Sequence, residues 1–81
     1  MTKEQAFEVL KKHILDQLED EVEEAEINME ASMVELGANS LDIVEVVSNT
    51  MRELKVKVPR DELGKLKNIG ELAAKMAECA D

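Results

Sequence analysis

Few residues in this 81-residue chain could do chemistry by themselves. It holds one histidine (His13), one cysteine (Cys79) and three serines, Ser32, Ser40 and Ser48. A zinc-protease helix would need His-Glu-x-x-His and a redox pair Cys-x-x-Cys; neither is present. The acidic run lacks the alternating Asp/Asn and central Gly of a calcium loop, and no glycine-rich phosphate loop occurs. Independent catalysis is therefore not expected. One segment stands apart, Leu36-Gly37-Ala38-Asn39-Ser40-Leu41-Asp42. A glycine turn followed by an asparagine cap puts Ser40 at the first position of a helix. A hydroxyl there faces solvent, and a phosphate attached to it would lie beside free backbone N–H groups and the positive helix end. With no base nearby in sequence, Ser40 is a poor nucleophile in its own right but is well placed to be modified.

The elements that must position this segment can be read from caps and periodicity. Thr2 and Gln5 have capping-box spacing, and Phe7, Leu10, Ile14 and Leu18 recur at three- and four-residue steps, which predicts a first helix fading near Glu19. Lys3, Lys11, Lys12 and Asp16 take its wet side. Residues 19–38 read as a long connection. Glu19, Asp20, Glu21, Glu23, Glu24, Glu26 and Glu30 crowd its first half, and their repulsion disfavours a continuous helix. Ile27 and Met29 are expected to fold inward. Ser32 and Glu35 repeat the capping spacing, so Met33 to Leu36 should form one turn, ended by Gly37 in the left-handed region.

A second helix follows the Asn39 cap, with Asp42 favoured near its positive end. Leu41, Val44, Val47, Met51 and Leu54 are expected on its inner face, widened by Ile43, Val46 and Thr50, so that this helix reads as central and largely buried. Leu54, Val56 and Val58 read as an extended connection, because a lone strand has little stability. Pro59 breaks the chain, and a short third helix is expected over Arg60 to Leu66. Asn68 and Glu71 cap a last helix with Ile69, Leu72, Ala73, Met76 and Ala80 facing inward. The expected fold is all-α: a small four-helix bundle spanning 1–81 as a single domain, with three main helices, one short third helix and a long loop between the first two.

Composition narrows the partners. Nineteen acidic against ten basic residues give a net charge of −9, which nucleic acid and anionic membrane would repel and a basic protein surface would attract. From His13 to Met51 there are eleven acidic residues and no Lys or Arg. One aromatic, Phe7, and five methionines mean that aliphatic side chains must fill the core. Cys79 has no second cysteine to pair with, so nothing requires an oxidising compartment. No apolar run approaches the length of a signal or membrane segment, and a cytoplasmic monomer is expected. His13, lacking a second ligand at helical spacing, is expected at the surface or its boundary.

The segment Leu36-Gly-x-Asn-Ser-Leu-Asp42, followed by an apolar helix with Glu45 three residues on, resembles the acyl carrier proteins. The resemblance covers nearly the whole chain: first helix, long loop, serine-led helix, Val58-Pro59 linker and final helix. It implies that Ser40 carries a 4′-phosphopantetheine arm, attached as a phosphodiester from coenzyme A by a separate phosphopantetheinyl transferase. The arm's thiol would hold acyl groups as thioesters, making the chain a non-catalytic shuttle whose reactive sulfur comes from the cofactor. Asn39, Leu41, Asp42 and Glu45 would meet partner enzymes through basic docking patches, chiefly setting on-rate and partner choice. Position 39 is Asn where the family usually has Asp. That keeps the cap but removes a negative charge beside the modified serine, which bears on transferase recognition. Met51, Val44 and Val47 are expected as plain core, with a pocket for an acyl chain between helices as the alternative.

The tail from Val58 to Ala73, with Lys65 and Lys67 besides Lys57 and Arg60, is more basic than in the usual fatty acid carrier. Its Lys67-Asn-Ile-Gly-Glu-Leu-Ala73 stretch resembles free-standing polyketide carriers, in particular donor carriers of β-branching cassettes built around a hydroxymethylglutaryl synthase-like enzyme. Such a donor would present malonyl and then acetyl groups, and acyltransferases and ketosynthases would be further partners. The alternative pathway is type II fatty acid synthesis. A reading from another class is a cofactor-free acidic helical interaction module, in which Ser40 has no special role.

Overall fold

In the computed structural model, which describes residues 1–19 and 21–80 apart from the side chain of Arg60, the order is α1 (Lys3–Gln17), α2 (Ser40–Leu54), α3 (Arg60–Leu63) and α4 (Ile69–Cys79). It is an all-helical bundle of the expected kind, without strands among the described residues. Asp20, part of the expected acidic run, lies outside them.

The caps explain why each helix starts where it does. The Thr2 hydroxyl accepts from the Gln5 N–H at 3.1 Å while Gln5 Oε1 accepts from the Thr2 N–H at 2.8 Å. Each bond satisfies a donor that the first turn cannot pair internally. α1 stops at Gln17, ahead of the acidic run, whose described residues form one 3₁₀ turn at Glu24–Glu26. The loop is nevertheless tied inward, with Val22, Ile27, Met33 and Ala38 buried.

The central helix is α1, not α2 as the breadth of its apolar stripe suggested. Both α2 and α4 pack against α1, whose Ala6, Leu10 and Ile14 are fully buried. Burying each leucine or isoleucine contributes roughly 1.5–3 kcal/mol. Phe7, expected on the inner face, is instead half-buried and packs against the core from its margin. Lys11 is not simply wet: its ammonium lies 5.7 Å from the Phe7 ring centre and pairs with Glu8 and Glu24, each at 3.4 Å.

α2 is also rotated from expectation. Val46, Val47 and Thr50 form its buried face, whereas Leu41 and Val44 point to solvent. Thr50 is tolerated in the core because its hydroxyl donates to the Val46 carbonyl at 2.7 Å. α3 is shorter than expected, one turn ending at Leu63. On α4 the inner face runs through Ala77, with Ala80 only half-buried. The expected extended connection begins later than its alternation suggested: Leu54 is still the last residue of α2, and Lys55 ends the helix in the left-handed region (φ 58°). Val58 is buried, its N–H donating to Met51 Sδ at 3.4 Å.

Candidate functional site

Three serines offer hydroxyls, and the fold assigns them different tasks. Ser32 caps a turn: its Oγ accepts from the Glu35 N–H at 3.1 Å, and Glu35 Oε1 accepts from the Ser32 N–H at 3.1 Å. Ser48 lies mid-helix on α2 and is half-buried. Ser40 opens α2, is exposed, and its hydroxyl bonds no other described group.

That freedom follows from its neighbour. Asn39, in extended conformation, does the capping: its Oδ1 accepts from the Asp42 N–H at 2.9 Å, and Asp42 Oδ2 accepts from the Asn39 N–H at 3.2 Å. With Asn39 satisfying the third helical donor, the N–H groups of Ser40 and Leu41 remain without a partner among the described residues. Gly37 (φ 99°) turns the backbone into this cap, and the buried Ala38 pins it through its N–H to the Met33 carbonyl at 3.0 Å.

The acidic residues around Ser40 divide sharply. Asp42 is half-buried, and the Gln17 side chain donates to its Oδ1 at 3.0 Å. That bond first, and the Asn39 N–H second, hold its carboxyl below the usual carboxylate range. Glu45, one turn further, is exposed and bonds no described group. Glu53 is drawn to α1, its two oxygens 2.7 Å from Lys12 Nζ and 2.8 Å from His13 Nε2, so His13 is a half-buried partner of α2.

Apolar side chains are exposed on α2 just after the serine, where an inner face was expected, and in the turn before it. Leu41 is 70% exposed, Val44 57% and Val34 69%. Periodicity puts Leu41 and Val44 inside, but the buried face of α2 runs through Val46, Val47 and Thr50 and leaves those two exposed. Val34, which no sequence signal sets apart from its apolar neighbours Met33 and Leu36, is the exposed apolar member of its turn. From Val44 a groove of about 770 Å³ runs along α2 past Val47 and Met51 to Val58, Leu63 and Leu72. Lys57 and Lys67 are its charged lining residues.

Residues 8–76 match the family model described as phosphopantetheine attachment site. The chain belongs to the acyl carrier protein family. It is 42% identical over 73 residues to the polyketide biosynthesis acyl-carrier-protein AcpK of Bacillus subtilis, covering 90% of this chain and 88% of that one. An acyl carrier protein of Clostridium perfringens is 37% identical over 73 residues, with 89% and 93% covered, and one of Clostridium acetobutylicum 39% over 67 residues, with 82% and 84%. The prosthetic group of this carrier is a covalently attached 4′-phosphopantetheine. The residues present fit such a group. An exposed hydroxyl stands at a helix start whose first two N–H groups are free and can receive a phosphate. Carriers of this kind work with a phosphopantetheinyl transferase and with acyl-handling enzymes. Among the described residues no helix is long and apolar enough to cross a membrane.

Proposed function

We propose that Ser40 is the residue that receives the phosphopantetheine arm, and that the chain serves polyketide synthesis as a non-catalytic carrier. The observation that carries the attachment site is the free hydroxyl of Ser40 at an open helix end, set against Ser32 engaged as a cap and Ser48 within α2. Ser40 Oγ is the nucleophile toward the pantetheine-bearing phosphorus of coenzyme A, and the pyrophosphate bond breaks to release adenosine 3′,5′-bisphosphate. No described side chain is bonded to it, so the proton it loses passes to a base on the transferase. Asn39 and the free N–H groups of Ser40 and Leu41 then hold the resulting phosphodiester at the positive end of α2. When bound, the arm supplies the thiol that carries acyl groups.

Leu41, with Val34 and Val44, gives partner enzymes an apolar contact, and Glu45 a free negative charge beside it. The groove from Val44 to Leu72 is wide and apolar enough to shelter a short acyl chain. The polyketide reading is supported by the basic tail at Lys57, Lys65 and Lys67 and by the likeness to AcpK. Its finer form is a donor carrier for β-branching, working with a hydroxymethylglutaryl synthase-like enzyme besides acyltransferase and ketosynthase, in the cytoplasm and as a monomer. Type II fatty acid synthesis is the second reading, favoured by the likeness to the two Clostridium proteins.

Intact-mass measurement after incubation with coenzyme A and a promiscuous transferase tests the site. Wild type and Ser32→Ala should gain the mass of one arm, and Ser40→Ala none while keeping its helicity. Gain by Ser40→Ala would refute the site, and no gain by wild type would favour a cofactor-free interaction module. Rates of acyl transfer from the loaded protein to polyketide and to fatty acid partner enzymes, side by side, separate the two pathways.

A further inference from the structure

Asp42 stands within the first turn after Ser40, where a charge for docking partners was expected, yet both its oxygens already have partners inside the chain. Oδ1 accepts from Gln17 Nε2 at 3.0 Å and Oδ2 from the Asn39 N–H at 3.2 Å. Gln17 is the last residue of α1, the helix against which α2 and α4 both pack. The sequence Gln17–Asp42–Asn39 therefore connects the fixed element of the bundle to the residue immediately before Ser40. Apart from this tie, the beginning of α2 is held by the buried Ala38 before it and the half-buried Ile43, while Ser40, Leu41, Val44 and Glu45 are all exposed. Its buried anchors start only at Val46. Glu45, one turn on, has no such partner and remains available to a basic surface.

We propose that Gln17 and Asp42 are positioning residues for loading: they set the orientation of the Asn39–Ser40 turn against the bundle so that the Ser40 hydroxyl meets the transferase in one geometry. The proposal rests on the reading of Ser40 as the attachment site. It separates two neighbouring acidic residues into different roles, Asp42 acting through Ser40 and Glu45 acting on the partner. A hydrogen bond between two fixed groups affects the rate after encounter, because a reacting atom held in place loses less freedom on the way to the transition state. A docking charge acts on the encounter itself and fades as salt rises.

Reversing donor and acceptor distinguishes these roles. Gln17→Glu sets two carboxylates face to face and removes the bond. Adding Asp42→Asn lets the introduced glutamate accept from the introduced asparagine, restores the bond with lengths preserved, and returns the net charge to its starting value. Loading of the apo protein by a purified transferase and coenzyme A is followed at low and high ionic strength, with helicity and melting measured on each variant. Gln17→Glu should lower kcat roughly tenfold with KM little changed. Its defect should persist at high salt, and the double variant should recover most of the rate. Gln17→Ala, which adds no charge, should show a smaller loss of the same kind and keeps the test intact if Gln17→Glu folds poorly. Wild-type kcat in both single variants would overturn the proposal. So would a double variant slower than Gln17→Glu with a deficit that salt erases, because Asp42 would then act as a docking charge. If wild type acquires no arm, or Ser40→Ala acquires one, the attachment site itself fails, a result seen by mass before any rate is compared.

Discussion

α2 and α4 begin with the same chemistry and end up in opposite situations. Each has an asparagine cap and an acidic residue three positions on: Asn39 Oδ1 accepts from the Asp42 N–H at 2.9 Å, and Asn68 Oδ1 from the Glu71 N–H at 2.8 Å. Beyond the cap they part. The next two donors of α4 are taken by the long loop, Ile69 N–H by the Ala31 carbonyl at 2.9 Å and Gly70 N–H by the Met29 carbonyl at 2.8 Å. Ile69 and Gly70 are buried as a result. The corresponding residues of α2, Ser40 and Leu41, are exposed with both N–H groups free. A helix start must have its orphan donors satisfied by chain, water or ligand. Where the chain satisfies them, the start is structural; where water does, a phosphate can replace it.

The largest expected effect tests how far that openness extends along α2. Val44 and Val47 are the same residue type one turn apart, 57% and 6% exposed. Val47→Asp should unfold the domain, since an unpaired charge in so small an aliphatic core costs on the order of 4 kcal/mol or more. Val44→Asp should stay folded. Helicity and melting temperature decide, and equal behaviour of the two variants would place the inner edge of α2 wrongly.

The next test exchanges the second residues of the two helices. A Cβ on Gly70 would lie 2.9 Å from both the Met29 Cβ and the Met29 carbonyl oxygen, so the loop would have to withdraw from α4. Gly70→Ala should therefore destabilise by roughly 1–3 kcal/mol, read from chemical denaturation. Leu41→Ala, at the same position of α2, should stay within about 0.5 kcal/mol of wild type. It should instead slow acyl transfer to partner enzymes. A stability loss at Leu41 as large as at Gly70 would mean that the start of α2 is packed like that of α4.

The pairs of residues that make these starts were legible because capping is local. Thr2/Gln5, Ser32/Glu35 and Asn39/Asp42 all bond as their spacing indicates, and Asn68 caps Glu71. Gly37 has the positive φ expected of its position. That Ser40 opens α2 was legible for the same reason, as a serine just after a cap. Which side of α2 is covered was not, because periodicity says which residues share a face and nothing about where a neighbouring helix lies. Leu41 and Val44 are expected inward on that basis, while Val46, Val47 and Thr50 are the residues actually buried. The bonds from Gln17 to Asp42 and from Gly70 to Met29 join residues distant in sequence, and no local pattern announces either.

The smallest expected effect concerns the third residue of α2 and its charge. Hydrogen bonds from Gln17, and then from the Asn39 N–H, hold the Asp42 carboxyl below its ordinary value of 3.8. A carboxyl depressed in the folded state binds its proton more readily when the chain unfolds. Its stabilisation is thus complete above the unfolded value and is lost as pH falls through the folded one. Asp42→Asn should melt a few degrees below wild type at pH 7, and the gap should close once the pH has fallen through the depressed folded value, where both side chains are neutral. Comparing the two proteins at each pH removes the general relief of repulsion that acid brings to a chain of net charge −9. Glu45→Gln, which loses the same charge from a residue without an internal partner, should show no such deficit at neutral pH. If its melting curve tracked that of Asp42→Asn across the range, the two carboxylates would be equivalent surface charges, and the start of α2 would owe nothing to its tie with α1.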